Sequence, residues 1–372
     1  MKVCQVFKYY YPELGGIEAH VQRVAEGLAN DGTATSVVST QPRGLGSRTT
    51  LNGVSIRKTS SVGELLSVPF APTHPIWVRR VAKDADVVHL HLPDPLSVVS
   101  YLAADPDPDV LVATYHSDII RQELALKFYE PVLRRFLERT DQIIASSPRM
   151  LEHSEFLPDY LHKCTVVPFG IDIDEFESVD DPGIDLPGDN DAPIVLFVGR
   201  LVYYKGVDYL IDAMQDVDAR LFVVGDGKER SALERTASDH GVDDRVYFFG
   251  EVADDFLHFL YSSADVFALP SCAPSEAFAI VQLEAMAHET PVVNTDLPSG
   301  VPWVSRDGET GVTVPIADAD ALADAINDLL DNPDYRRRLG QAGRRRVEEG
   351  FTTEIMLDRV REVYKRLHCS SG

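Results

Sequence analysis

The sequence predicts an α/β protein made of two doubly wound parallel-sheet units in succession, joined by a linker and facing a central cleft. Three observations carry that expectation. Short apolar runs rich in Val, Ile and Phe alternate with segments of helical period, as in a parallel sheet covered by helices. The alternation breaks at 178–193 (SVDDPGIDLPGDNDAP), where Asp, Pro and Gly occur without periodicity, and then restarts. The length of 372 residues suits two or three domains, at about 100–200 residues each.

In the first unit, taken as 1–177, strands are expected at 2–9, 34–40, 87–91, 110–115, 142–146 and 165–168, with helices at 17–29 and 123–139. In the second, taken as 194–350, strands at 194–199, 220–224, 246–249, 266–269 and 291–294 alternate with helices at 207–214, 229–239, 256–262 and 278–288. A helix near 318–331 follows, and the tail, 351–372, carries a last helix at 353–367. Open α/β sheets bind ligands beyond the carboxyl ends of their strands, so functional residues are sought there.

Composition narrows the classes. With 37 Asp, 22 Glu, 26 Arg and 9 Lys the formal charge is −24, a field that repels nucleic acid. Surplus Asp on a Lys-poor surface suits a halophilic source with a high-salt cytoplasm, the alternative being an ordinary acidic bacterial enzyme; full stability and activity in dilute buffer would refute the first. Residues 1–150 hold 16 basic and 16 acidic side chains, whereas 151–372 hold 19 and 43. The neutral half is therefore the one expected to approach an anionic membrane surface or a phosphorylated acceptor. No run reaches 18 apolar residues, so no membrane-spanning helix is expected. The opening MKVCQVFKYYYPELGG reads as strand and turn rather than a signal peptide. Cys4, Cys164, Cys272 and Cys369 lack metal or redox spacing, which suits free thiols in a reducing cytoplasm.

Four constellations fall at expected strand ends. Gly15–Gly16 opens the first helix, where exposed amides suit a phosphate, although a glycine pair there also reads as a plain turn. His116 follows the strand VLVATY and reads equally as a crevice ligand or a satisfied loop residue. Gly199-Arg200 ends the first strand of the second unit, and Lys205-Gly206 precedes a helix. Two cations beside a helix start suit a diphosphate. Glu276 lies in a post-strand loop and Glu284 in the following helix. Eight helical residues span about 12 Å, near the reach from a sugar to a ribose across a diphosphate. The plainer reading makes both solvated helix carboxylates. Against it, Glu284 sits in the apolar run 278–286, where an unpaired carboxylate is costly.

At these residues the chain resembles the retaining glycosyltransferases of family 4, with the two-Rossmann GT-B fold, over nearly its whole length. Glu276 and Glu284 match the family's glutamate–seven residues–glutamate element, and Gly199, Arg200, Lys205 and Gly206 its Gly-Arg–Lys-Gly element. Gly15–Gly16 and His116 match its early glycine pair and acceptor-unit histidine. The resemblance implies that Arg200 and Lys205 hold the donor diphosphate, Glu284 the ribose and Glu276 the donor sugar. It implies further that the amides of Ala277, Phe278, Ala279 and Gly16 assist, and that His116 lines the acceptor side. Its last helix would cross back to the first unit. The family has glycine at the positions of Ala277 and Ala279. If either residue needs positive φ, alanine costs about 1–2 kcal/mol there. Ser299-Gly300-Val301-Pro302-Trp303 stands where a second glycine pair is common, a variant resembling enzymes of surface polysaccharides and glycolipids.

The function expected is transfer of a hexose, with retention, from a UDP- or GDP-linked sugar to a hydroxyl of a glycan or lipid-linked acceptor, in polysaccharide biosynthesis or protein glycosylation. No cofactor or metal is expected. Asp172-Ile173-Asp174 matches the Asp-x-Asp pattern, but matches such as Asp84–Asp86, Asp105–Asp107, Asp107–Asp109 and Asp318–Asp320 are expected by chance in so Asp-rich a chain. An epimerase of the same fold would convert the donor without an acceptor, which product analysis separates. A non-catalytic binder would take the donor without turnover. An NAD-linked oxidoreductase is disfavoured, since Val224-Gly225-Asp226-Gly227 lacks the third glycine. The apolar face of 123–139, together with Tyr9–Tyr11 and Trp77-Val78-Arg79-Arg80, suits packing on the sheet more than reversible contact with an anionic membrane; liposome flotation distinguishes them. The Arg336–Arg338 and Arg344–Arg346 runs read as solvated helix faces.

Overall fold

The computed structural model describes residues 1–13, 15–65, 68–119, 123–176 and 183–371, with the backbone alone at 123–126 and 370–371. Contacts divide the chain into two compact units, 1–169 with 354–372, and 170–353.

The first unit holds β1 (Lys2–Val6), β2 (Ala34–Thr40), β3 (Ser47–Leu51), β4 (Val54–Thr59), β5 (Glu64–Leu65), β6 (Val68–Pro69), β7 (Val87–Leu92), β8 (Val110–Tyr115), β9 (Gln142–Ala145) and β10 (Cys164–Val166). Its main sheet runs β10-β9-β8-β7-β1-β2-β4-β3, parallel except for the antiparallel β3–β4 pair, while β5 and β6 form a separate ribbon. The β3–β4 hairpin was not expected. Its turn is Asn52-Gly53, both at positive φ, a strong hairpin signal. The polar edge strand Ser47–Leu51, mostly exposed, hides the alternation that would have announced it.

Helices Gly16–Asn30, His74–Ala82, Pro95–Ala104, Glu123–Arg139 and Pro148–His153 accompany the sheet. Three of these have proline in their first turn and are too short for a clear period. In Glu123–Arg139, Leu133, Phe136 and Leu137 are buried, while Phe128 is exposed. Arg134 pairs with Glu130 and Asp159, and Arg139 with Asp105. The Phe136 ring lies 5.7 Å from that of Tyr101 in helix Pro95–Ala104, so part of this helix's apolar stripe is taken up against a neighbouring helix. Helix Thr353–Ser371 contributes Met356, Leu357, Val360, Val363 and Tyr364 to a core with Val3, Val24, Leu28, Val87 and Val110. A Cβ on Gly27 would sit 2.3 Å from Leu357, so helix Gly16–Asn30 meets it at a glycine.

The second unit holds β11 (Ile194–Val198), β12 (Arg220–Val224), β13 (Val246–Gly250), β14 (Val266–Leu269), β15 (Val292–Thr295) and β16 (Gly311–Val314), in the parallel order β13-β12-β11-β14-β15-β16. β11 and β12 are buried throughout and their core packs Phe197, Leu210, Leu221, Val266 and Ile326. Among the described residues no helix is long and apolar enough to cross a membrane.

Three expectations need correction. The unit boundary falls after Phe169 rather than 177, because Ile171 bridges to Thr352 and the Phe176 ring packs 4.7 Å from His258 and 5.3 Å from His288. Of the expected linker, 178–182 lies outside the described residues. Its later part is tied to the second unit, where Arg220 donates to the Pro187 and Ala192 carbonyls. The arginine runs of helix Pro333–Gly350 are not plain solvated faces either. Arg336 pairs with Asp265 at 2.9 Å, Arg344 donates to the Ala287 carbonyl, and Arg346 donates to the carbonyls of Val304 and Trp303. Burial pushes the Arg346 guanidinium down to about 10. These long side chains bind carbonyl ends that the apolar packing leaves unpaired.

Candidate functional site

In the second unit three strand-end loops interlock. Beyond β11 the chain passes through Gly199, Arg200 and Leu201 into a short turn, Tyr203–Lys205, before helix Val207–Ala213. The Leu201 amide donates to the Asp226 carbonyl, and the Cys272 amide to the Tyr204 carbonyl. The loop after β11 is thus stitched to those after β12 and β14. A Cβ on Gly225 would lie 2.2 Å from the Gly199 carbonyl oxygen, and one on Gly206 2.2 Å from that of Pro270. Only glycine permits approaches this close.

This stitching brings Lys205 and Glu276 together. The Lys205 Nζ lies 2.5 Å from Glu276 Oε2, with each side chain about nine-tenths buried. Ser271 Oγ donates to the same oxygen at 3.1 Å. The sequence singled out both residues but assigned them to different parts of a ligand; the structure makes them one ion pair. Ser271 was not foreseen, and only its place two residues after β14 could have marked it. Arg200 stands exposed at the end of β11 and pairs with no described carboxylate. One cation is therefore preoriented and the other available to an incoming anion.

Glu284 differs in position from the expectation. The helix following β14 is Val281–Ala287, so Glu284 lies in its first turn. The separation from Glu276 is therefore not a helical 12 Å. The cause is Ala279, whose φ of +59° breaks the helix before it starts. Half-buried Glu284 accepts from Tyr261 Oη at 2.8 Å. This bond answers the cost of a carboxylate in an apolar run. Burial and that carboxylate push the Tyr261 hydroxyl well above its ordinary value. The loop is fixed by Gln282, which donates to the Phe278 carbonyl and accepts from Asn294 Nδ2 at 2.9 Å. Among the described residues, the Ala277 and Ala279 amides donate to nothing, so both can meet an anion.

Of the two alanines, only Ala279 has positive φ. Ala279→Gly is expected to stabilise the protein by about 1 kcal/mol, as relief of left-handed strain exceeds the added chain entropy. Urea unfolding measures this, and a loss of stability would show that the strain is absent.

In the first unit Gly15 caps helix Gly16–Asn30 in an extended conformation, and Gly16 has no atom within 4 Å of a built Cβ. Both are exposed at the helix start, as an anion-binding amide requires. His116 continues β8, its amide donating to the Leu92 carbonyl. It is buried rather than open, stacked on Phe169 at 5.4 Å, with its Nε2 3.2 Å from His91 Nδ1. His91 Nε2 in turn lies 2.9 Å from Gln5 Oε1. Burial pushes His116 down to about 3, so it is neutral at pH 7. Sequence reasoning missed Gln5, His20 and His91. His89 and His91 sit two apart on β7 and so share a face, which was the available signal.

Two family models divide the chain. Residues 185–346 match the one described as glycosyl transferases group 1, and 14–175 match glycosyltransferase family 4. The chain is 32% identical over 372 residues to O-antigen chain mannosyltransferase C of Escherichia coli, covering 99% of each. It is 30% identical over 386 residues to a phosphatidyl-myo-inositol mannosyltransferase of Mycobacterium leprae, covering 100% of this chain and 98% of that one. A solved sucrose-phosphate synthase from Thermosynechococcus elongatus superposes with a TM-score of 0.84 at 25% identity, over 99% of both chains. With two Rossmann-like units and a match of this extent, the protein belongs to glycosyltransferase family 4 and has the GT-B fold.

Proposed function

We propose that the protein moves a hexose from a UDP- or GDP-linked sugar to a hydroxyl of a glycan or lipid-linked acceptor, with retention and without a metal. The observation that carries this reading is the Lys205–Glu276 pair, its lysine in the same loop as Arg200, which pairs with no described carboxylate. Two mannosyltransferases among the relatives, one of the O-antigen chain and one of phosphatidyl-myo-inositol, support the hexose and the acceptor class.

In the proposed reaction the bond from the sugar's anomeric carbon to the diphosphate oxygen breaks as the acceptor oxygen bonds on the same face. The acceptor's proton passes to the departing phosphate oxygen. Arg200, Lys205 and the free amides of Ala277 and Ala279 offset the charge growing on the diphosphate. Glu276, held by Lys205 and Ser271, accepts from sugar hydroxyls rather than attacking carbon. Glu284 accepts from the ribose.

Screening UDP- and GDP-sugars by thermal stabilisation tests the donor, since a ligand at 100 times its Kd adds about 2.7 kcal/mol. No stabilisation by any of them would sink the reading. Transfer is expected to survive a chelator unchanged. Activity abolished by chelation and restored by magnesium or manganese would overturn metal independence.

A further inference from the structure

We propose that His20, His91 and His116, all in the first unit, form a binding site for a divalent transition metal of the zinc class. The three histidines come from helix Gly16–Asn30, from β7 and from the residue after β8. One nitrogen of each lies within 4.8 Å of the others, and among the described residues no other cluster of His, Cys, Asp or Glu meets that measure. His91 Nδ1 and His116 Nε2 are 3.2 Å apart. Two nitrogens bound tetrahedrally to zinc at 2.0–2.1 Å stand about 3.3 Å apart. In the structure that spacing is an N–H···N hydrogen bond between rings 18° from parallel with centroids 5.4 Å apart, so a small turn of each ring would aim both nitrogens at a shared ion.

A metal binds the neutral imidazole through its lone pair. The outer shell is in place: His91 Nε2 donates to Gln5 Oε1, leaving Nδ1 free for a metal. Without an ion, a single proton must sit between His91 and His116; a metal takes its place. His20 Nδ1 and His116 Nδ1 are buried without a hydrogen-bond partner, so the cluster is not a satisfied polar network. Three imidazoles with no carboxylate select zinc, cobalt, nickel or copper over magnesium and calcium. Three ligands leave a fourth tetrahedral position open to water or an anion.

The test is titration of the chelator-stripped full-length protein with Co2+, read in the visible spectrum. The expected result is one equivalent bound with the intense bands of a four-coordinate ion, displaced by Zn2+. His20→Gln and His91→Gln should bind at least about 100-fold more weakly, while His162→Gln, at an exposed histidine, binds as wild type. Gln5→Leu keeps all three ligands and should weaken binding about 10- to 100-fold; it decides the matter if the histidine variants fail to fold. Failure to bind one equivalent overturns the proposal. So does the pale six-coordinate spectrum of carboxylate-bound cobalt, unchanged by these substitutions, which the Asp-rich surface would give. Neither outcome depends on sugar transfer.

Discussion

Lys205→Met is expected to lower kcat/KM for sugar transfer by about 10²- to 10³-fold, the usual cost of deleting one preorganised group that stabilises transition-state charge. It also strands Glu276. That carboxylate is 7% exposed and would keep only the Ser271 hydroxyl as a described partner, so the fold should lose about 3 kcal/mol as well. The two effects separate in Lys205→Met/Glu276→Gln. With both charges gone and the Ser271 bond retained, most of the stability returns, because a neutral buried pair does not suffer the stranded charge. The rate does not return, since the cation proposed to face the diphosphate is still missing. Glu276→Ala should likewise lose activity by orders of magnitude. Denaturant unfolding and steady-state rates on the same samples decide between the roles. A double variant that recovers both stability and rate makes the pair purely structural, and near-wild-type turnover in either single variant ends the site assignment.

Much of the scaffold was legible because parallel strands buried on both faces are uninterrupted apolar runs. The strands 110–115, 220–224 and 266–269 fall where the sequence placed them. What escaped had local causes. Polar Ser47–Leu51 carries no alternation, and three helices open on proline and are too short for a period. The helix expected from 278 begins at Val281, since a left-handed alanine is invisible to periodicity. At the site, residue types were readable and contacts were not. Lys205 and Glu276 are 71 positions apart, and no local pattern predicts a 2.5 Å approach across that interval. The arginines of helix Pro333–Gly350 show the same limit: their charge suggested solvent, yet Arg344 and Arg346 end on backbone carbonyls that only the tertiary fold delivers.

Gly206→Ala is expected to cost about 3 kcal/mol and about 100-fold in rate, although it adds one methyl group and removes no charge. Gly206 has φ +62°, a left-handed conformation that costs an alanine about 1–2 kcal/mol. The added Cβ would also stand 2.2 Å from the Pro270 carbonyl oxygen, an overlap removed only by parting the loops after β11 and β14. The Cys272–Tyr204 backbone bond crosses the same junction and would stretch with it. Lys205 lies on one side and Glu276 on the other, so the parting reaches the ion pair directly; displacement near 1 Å costs catalysis about 10². Gly241→Ala is the control. It too has positive φ, at +67°, but no atom lies within 4 Å of its built Cβ, so it bears the backbone strain alone. For a unit of this size each kcal/mol lowers Tm by about 2–4 °C, so Gly206→Ala should melt well below Gly241→Ala and the latter should keep full activity. If the two variants match in both melting and rate, the close approach at Pro270 does not hold the site together, and the geometry of the Lys205–Glu276 pair needs another cause.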